Sequence, residues 1–172
     1  VESAPRLLIA GAGHIGRLLA GLAVPLGFDV HVIDDRADYA NPQRLPPPVQ
    51  TTAGPIEAAL AQLAPDANTY VVIVTRGHKH DEKALQAVLG SPAKYIGMIG
   101  SRRKVAVTFD DLKHAGATDE QLARVHAPIG LSIGAVTTEE IAVSIVAQLV
   151  SIRRCDRRKI VEGPTPVSDD AP

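Results

Sequence analysis

The sequence predicts an α/β fold in which helices cover both faces of a doubly wound, mostly parallel sheet. Three observations support this prediction. From residue 6 onward, short apolar runs that suit buried strands alternate with segments whose apolar residues have helical spacing. A glycine-rich turn follows the first of these strands and opens the first helix. The length of 172 residues is that of a single domain.

Each element is assigned by its pattern. Strands are predicted over residues 6–10, 28–33, 49–52, 70–74 and 95–99, with a further short strand in the loop 126–135. Helices are predicted over residues 15–26, 56–63, 81–89, 102–114 and 119–124, with a last helix that opens at Thr137. Thr137 and Glu140 have the spacing of a capping box. We expect one domain over residues 1–160, followed by a flexible tail over residues 161–172.

Composition excludes several classes of function. A formal net charge of −1 argues against a general nucleic-acid-binding surface. One cysteine, Cys155, allows neither an internal disulfide nor a cysteine-cluster metal site. No apolar run reaches the roughly 18 residues that a membrane span requires. The N-terminus lacks the pattern of a signal peptide, and the expectation is therefore a cytoplasmic domain.

The glycine-rich turn has the spacing of a dinucleotide-binding fingerprint. Gly11, Gly13 and Gly16 form a G-x-G-x-x-G motif that also contains His14, between a predicted strand and a predicted helix. In this motif the glycines allow a tight turn, the approach of a pyrophosphate and close packing of the helix on the strand. Asp34, at the end of the second strand, stands where a carboxylate binds a ribose hydroxyl, whereas nearby Arg36 suits a 2′-phosphate. The choice between NAD and NADP stays open, as does the alternative that these glycines serve packing alone.

A second polar segment, residues 75–81, follows the strand at 70–74. It contains Arg76, His78, His80 and Asp81. Histidines at this position can contact a polar heterocycle or transfer protons near neutral pH. The His-x-His pair is also a possible metal site, and Asp81 a possible local cap. We expect ligand contact rather than a structural metal.

A third segment combines glycine with three successive cations. Gly100 and Ser101 precede Arg102, Arg103 and Lys104 at the predicted start of a helix. Cations in a first turn oppose the helix dipole, which favours anions there. This cost is explained if an anion binds between the cations and the helix terminus, with Ser101 as the N-cap. The alternative is a solvated basic surface.

The fourth segment, residues 126–135, contains His126, Gly130 and Gly134. The glycines permit close backbone approach by a ligand or another segment. His126 suits a ligand contact or a buried structural position equally well. The chain shows no nucleophile elbow, Walker loop or pair of catalytic carboxylates, so no catalytic residue is predicted.

Taken together, these segments resemble one family, the Rossmann-type C-terminal domain of XdhC/CoxI proteins, over roughly residues 6–153. The stretches Tyr95–Lys104 and His126–Leu131 carry the resemblance more specifically than the glycine motif, and residues 139–145 strengthen it. Larger members also have an N-terminal domain with a cysteine-containing motif, so this chain corresponds to an excised domain or a short member.

The resemblance implies a function and a set of partners. Family members are maturation factors that bind the molybdenum cofactor, as molybdopterin or its dinucleotide form, and deliver it to apo molybdenum hydroxylases of the xanthine dehydrogenase type. A cysteine desulfurase is a further candidate partner, and a homodimer is a candidate oligomeric state that the sequence leaves open. Two alternatives stay open: a small NAD(P)-dependent oxidoreductase and a nucleotide-sensing regulatory domain.

Overall fold

The structure of the chain, a computed structural model, describes the backbone of residues 3–161 and the side chains of residues 3–155. Six strands form one sheet: β1 Arg6–Ala10, β2 Asp29–Asp34, β3 Gln50–Ala53, β4 Thr69–Ile73, β5 Tyr95–Met98 and β6 Val125–His126. Six α-helices accompany them: α1 His14–Ala23, α2 Ile56–Leu63, α3 His78–Val88, α4 Arg102–His114, α5 Asp119–Ala123 and α6 Thr138–Val161. A short 3-10 helix, Val24–Leu26, extends α1. The tail predicted at 161–172 lies, apart from Val161, outside the described residues.

The sheet has the strand order β3-β2-β1-β4-β5-β6, and every pair of neighbours is parallel. The predicted α/β class is therefore confirmed, and the sheet is entirely rather than mostly parallel. The order reverses between β1 and β4, where doubly wound sheets have a crevice at the carboxyl ends of their strands.

Two hydrophobic cores cover the two faces of the sheet. One core contains apolar residues of α1 and α6, among them Leu19, Ile145 and Leu149, each of which is fully buried. The other contains residues of α2, α3, α4 and α5, including Leu60 and Leu85. The strands bury side chains on both faces, as their near-continuous apolar runs require.

Most predicted boundaries agree with the structure to within one or two residues, but α3 begins at His78 rather than at residue 81. Because the residues of its first turn are polar, the spacing of apolar residues did not indicate this start. Consequently His78 and His80 lie in a helix and not in a loop. The predicted capping box is present, since the Thr137 hydroxyl accepts a bond from the Glu140 N–H at 3.1 Å. Glu140 Oε2 in turn accepts from the Thr137 N–H at 3.0 Å. No helix within residues 3–161 is long and apolar enough to cross a membrane.

The packing of α1 on β1 generates the first prediction. A Cβ at Gly16 would overlap the carbonyl oxygen of Gly11, a backbone atom that cannot turn away. Gly16→Ala should therefore lower the free energy of unfolding by about 1–3 kcal/mol, as overpacked sites do. Gly21→Ala is the matched control on the same helix, because a Cβ there meets no atom within 4 Å. It should be stabilising by roughly 0.5–1 kcal/mol. Urea unfolding measures both, and an unchanged Gly16→Ala would contradict the packing argument.

Candidate functional site

The loops that follow β1, β2, β4, β5 and β6 all emerge at one edge of the sheet, because the strands are parallel. This edge carries the four segments that the sequence predicts to be functional. The structure divides them into two regions. The glycine turn and the end of β2 form one region, and the loops after β4, β5 and β6 enclose two cavities that form the other.

The glycine turn is tightly packed at Gly11 and open at Gly13. Gly11 has φ +115°, and a Cβ there would collide with the carbonyl oxygen of Val74. Gly13 is the N-cap of α1, is extended, and provides no side-chain cap. No atom lies within 4 Å of a Cβ built at Gly13. The first turn of α1 therefore has room for a phosphate at its N-terminus.

Asp34 is buried directly beside this turn and is fully hydrogen bonded. Its Oδ2 accepts from the Ala12 N–H at 2.8 Å and from the Arg36 guanidinium at 2.9 Å. Its Oδ1 accepts from the Arg36 N–H at 3.0 Å and from Arg36 Nε at 2.9 Å. Burial alone would raise the pKa of Asp34, but the hydrogen bonds from Arg36 and Ala12 outweigh it and hold the pKa well below its usual range. A ribose diol would have to displace one of these bonds in order to reach this carboxylate.

Two arginines surround the end of β2. The Arg36 guanidinium lies 3.6 Å from the centre of the Tyr39 ring, a cation–π contact that orders it further. Arg76, from the loop after β4, reaches across to Asp35 with two bonds of 2.6 and 3.0 Å. This ion pair connects the loops on either side of β1. The sequence predicted Arg36 and Arg76 as site residues but gave no indication of the Asp35 contact.

A small cavity of about 230 Å³ lies between the loops after β4 and β5. Its lining includes Arg76, His78, Gly100, Lys104 and the buried Asp81. The Asp81 carboxylate accepts from the Thr75 hydroxyl at 2.6 Å and from the Thr75 N–H at 3.1 Å. Burial raises the pKa of Asp81 to about 6, against the opposing effect of these bonds and of the nearby histidines. Asp81 thus acts locally, joining the first turn of α3 to the end of β4.

A larger cleft of about 570 Å³ lies on the other side of the Gly100 turn. Its walls are Ile99–Arg102, residues 128–135, Ile141 and Ser144, so Ile99 and Gly100 line both cavities. Residues 128–135, which form one wall of the cleft (the 128–135 wall), are hydrogen bonded to α6. The Gly130 N–H donates to Gln148 Oε1 at 3.0 Å, and the Leu131 N–H donates to the Ser144 carbonyl at 3.1 Å. Ile141 and Ser144 of α6 were not predicted to line this cleft. In the sequence, residues on the inner face of a helix are expected to belong to the hydrophobic core.

The N-terminus of α4 opens onto both cavities and carries three exposed cations. Ser101 is the N-cap, and its hydroxyl accepts from the Lys104 N–H at 3.3 Å. Arg102 lines the larger cleft and Lys104 the smaller one. Among the residues whose side chains are described, no carboxylate pairs with Arg102, Arg103 or Lys104, and the first turn of α4 contains no acid. This end of α4 is consequently a concentration of positive charge beside two cavities.

Three predicted histidines lie away from the cavities. His14 is exposed on α1, and its Nε2 lies 3.1 Å from Glu139 of α6. His126 stacks on Tyr95 with the ring centres 4.7 Å apart, and burial lowers its pKa. His80 is half-buried and lines neither cavity. Of the histidines predicted to be site residues, only His78 lines one of the two cavities beside Gly100, whereas His14 lines a separate pocket of about 460 Å³ between α1 and α6.

These features define a class of protein: a Rossmann-type domain with a glycine turn open to phosphate and a basic, two-part cleft at the carboxyl edge of its sheet. The model of the XdhC Rossmann domain matches residues 7–149. The chain therefore belongs to the XdhC Rossmann domain family, as its resemblance predicted.

The similar proteins are longer than this chain. The chain is 37% identical over 150 residues to the uncharacterized protein YqeB of Escherichia coli K12, covering 87% of this chain and 27% of YqeB. It is 30% identical to a probable xanthine dehydrogenase subunit of Bacillus subtilis 168, over 90% of this chain and 44% of that protein. It is 24% identical to the molybdenum cofactor insertion chaperone PaoD of E. coli K12, over 86% of this chain and 40% of PaoD. The chain thus spans less than half the length of each of these relatives.

A solved structure described as a xanthine dehydrogenase from Bacillus halodurans superposes with a TM-score of 0.77 and 30% identity. The match covers 94% of this chain and 45% of that one. The whole fold described above, from β1 to α6, therefore recurs as one part of a longer protein.

The buried Asp81 generates a pH prediction. Its pKa is raised in the folded state, so its contribution to stability is fully present below pH 4 and is lost as pH rises through about 6. The free energy of unfolding of the wild type, relative to Asp81→Asn, should fall by on the order of 2 kcal/mol between pH 4 and pH 7. Urea unfolding at a series of pH values measures this difference. A pH-independent difference would show that Asp81 titrates normally.

Proposed function

We propose that this chain is the cofactor-binding domain of a maturation factor for xanthine dehydrogenase-type molybdenum hydroxylases. In this proposal it binds the molybdenum cofactor at the carboxyl edge of the sheet and presents it to the apoenzyme. The observation that carries the proposal is the pair of cavities on either side of Gly100, with the cationic start of α4 between them. The relative named as a molybdenum cofactor insertion chaperone supports the choice of ligand.

The dimensions and chemistry of the cleft suit a ligand of this kind. Small-molecule sites commonly have volumes of about 300–1,000 Å³, and the larger cavity alone measures about 570 Å³. Backbone groups and small side chains from Ile99–Arg102 and residues 128–135 provide hydrogen-bonding partners for a flat heterocycle. Apolar contact is available from Ile99, Leu131 and Ile133.

The phosphate of the cofactor is assigned to the N-terminus of α4. Arg102 and Lys104 face the two cavities, and neither has a carboxylate partner among the described side chains. An anion there gains from both cations and from the helix dipole. Gly100, Ser101, Arg102, Arg103 and Lys104 are therefore proposed as the phosphate-binding residues.

The glycine turn favours an additional nucleotide-binding function. Gly13 is open to solvent and close to the N-terminus of α1, so the nucleotide part of a dinucleotide cofactor, or of NAD(P), can place a phosphate there. Arg36 and Arg76 pair with the buried Asp34 and the exposed Asp35, respectively. They would accept a terminal phosphate more readily than Asp34 would accept a ribose diol, since both Asp34 oxygens are engaged.

The partners follow the same proposal. An apo molybdenum hydroxylase in the cytoplasm would receive the cofactor, in agreement with the B. subtilis relative, whose name associates it with xanthine dehydrogenase. The exposed rim residues Leu131, Ile133 and Val136 provide an apolar surface for that contact. The cysteine desulfurase partner and the homodimer stay predictions.

The basic start of α4 generates the main test. Arg102→Glu with Arg103→Glu should weaken molybdopterin binding about tenfold or more, because two attractions become repulsions. Since no described carboxylate pairs with either arginine, the fold should be retained. Anaerobic equilibrium binding of molybdopterin measures the affinity, and the ligand-induced rise in melting temperature checks it.

A matched control for this variant is Arg17→Glu with Lys83→Glu. Both residues are exposed cations on helices α1 and α3, and the change in net charge is the same. This control should bind like the wild type. Equal affinity in both double variants would overturn the assignment of the phosphate to α4.

The glycine turn is tested separately by Gly13→Val. The backbone at Gly13 has φ −71° and ψ −165°, which a valine can adopt, and the space above it is open. The variant should therefore fold normally, with an unchanged circular dichroism spectrum. It should lose most of its affinity for a dinucleotide ligand and retain its affinity for molybdopterin itself. Unchanged dinucleotide binding would place the nucleotide elsewhere.

A further inference from the structure

A cluster on the outer side of the small cavity joins helices α3 and α4. His78 and Glu82 lie four residues apart on α3, and Asp111 lies on α4. The Nε2 of His78 is 3.7 Å from Glu82 Oε2 and 3.7 Å from Asp111 Oδ2. All three ligand atoms lie within 4.8 Å of one another. This cluster was not predicted from the sequence, in which the possible metal pair was His78 with His80.

We propose that His78, Glu82 and Asp111 bind a divalent first-row transition metal ion, with Zn²⁺ or Mn²⁺ as the chemical class. An imidazole and carboxylates are ligands that such ions accept. Ligand atoms around an ion with bonds of about 2.0–2.2 Å are roughly 3.0–3.5 Å apart. The two His78–carboxylate separations of 3.7 Å would then contract by a few tenths of an ångström. The Glu82–Asp111 separation, which is within 4.8 Å, would contract by at most roughly 1.3–1.8 Å.

The orientation of His78 supports this assignment independently. Its Nδ1 lies 3.0 Å from the hydroxyl of Thr108, which is almost completely buried and donates to the Lys104 carbonyl at 3.0 Å. Because the hydroxyl proton is engaged there, Nδ1 is the donor in the bond with Thr108. In the neutral imidazole, Nε2 then directs its lone pair towards the carboxylates of Glu82 and Asp111, the arrangement that a bound cation would complete. Metal-bound histidines are commonly held in this way through the opposite ring nitrogen.

Lys79 is the competing cation in the cluster. Its Nζ lies 3.2 Å from Glu82 Oε2 and 4.0 Å from Asp111 Oδ2. The side chain is 73% exposed, and an exposed ion pair of this kind contributes little to stability. It can therefore move into solvent at small cost. Without it, two carboxylates and a neutral imidazole carry a charge of −2, which a divalent ion neutralises.

The site would connect α3 to α4 beside the small cavity. His78 contributes to both the proposed metal site and the cavity wall, whereas Glu82 and Asp111 lie outside the cavity lining. A bound ion would thus fix the spacing of the loops after β4 and β5. The inference is independent of the proposed function, since the ion can bind whether or not the cleft holds a cofactor.

Isothermal titration of the tag-free chain with ZnCl₂, MnCl₂ and MgCl₂ tests the proposal. We expect one Zn²⁺ per chain and weaker Mn²⁺ binding, in accordance with the Irving–Williams order. No saturable Mg²⁺ binding is expected, because Mg²⁺ prefers octahedral oxygen ligands to an imidazole. Asp111→Asn, Glu82→Gln and His78→Ala should each weaken Zn²⁺ binding about tenfold or more. Lys79→Ala should strengthen it, because the competing cation is removed.

Two matched controls separate this site from adventitious binding. His80→Ala removes the histidine two residues away, which is outside the cluster. Asp110→Asn disrupts the His114–Asp110 pair, which has the same four-residue spacing on α4, with Oδ2 3.8 Å from Nδ1. Both variants should bind Zn²⁺ like the wild type. Absence of saturable Zn²⁺ binding to the wild type, equal binding to Asp111→Asn, or loss of binding in His80→Ala would each overturn the proposal.

Should the cluster variants be less stable than the wild type, the change in melting temperature on adding Zn²⁺ distinguishes lost binding from lost stability. Zn²⁺ should raise the melting temperature of the wild type and of Asp110→Asn, and should leave that of Asp111→Asn unchanged. An equal rise in Asp111→Asn would show that the ion binds elsewhere.

Discussion

The arrangement of the loops at the carboxyl edge of the sheet depends on the buried carboxylate of Asp34. Through Ala12 it fixes the glycine turn after β1, and through Arg36 it fixes the loop after β2. The adjacent Asp35 fixes the loop after β4 through its ion pair with Arg76. A buried charge is tolerated only when it is paired and hydrogen bonded, and this one is satisfied on both oxygens. Asp34, which was expected to contact a ligand, thus positions the loops around it. Any ligand must therefore bind to loops that are already ordered.

The periodicity of the sequence predicted the fold almost completely. Each strand that it indicated is present, because fully apolar runs such as residues 70–74 suit only positions buried on both faces of a sheet. The start of α3 was missed for a physical reason. The first turn of that helix, with His78, Lys79 and His80, carries polar side chains, and Asp81 is bonded to Thr75 at the end of β4. Periodicity cannot distinguish such a turn from a loop, whereas the capping box at Thr137 and Glu140 marked the start of α6 clearly.

The sequence predicted which segments form the candidate site, but it did not predict which side chains contact one another there. Gly100, Arg102 and His78 line cavities as the parallel topology requires. His14 and His126 belong to predicted segments, but their side chains contact Glu139 and Tyr95, outside the two cavities beside Gly100. Contacts between distant segments, such as Asp35 with Arg76, depend on side-chain directions that a single sequence does not specify. The cluster on α3 and α4 shows the same limit, since Asp111 is 33 positions from His78 in the sequence yet 3.7 Å from it in space.

The 128–135 wall has a thermodynamic consequence. It is fastened to α6 at Gly130 and Leu131, while Leu131 and Ile133 remain 40% and 54% exposed. A guest in the larger cleft would remove water from these aliphatic groups without first having to fold the wall around itself. Association should then carry a negative heat-capacity change, whose size increases with the apolar area that is covered. The same two side chains stand at the mouth of the cleft, where an acceptor protein would meet them as it takes over the guest. Release would then be driven by exchange of one dry contact for another, without the ligand entering bulk solvent.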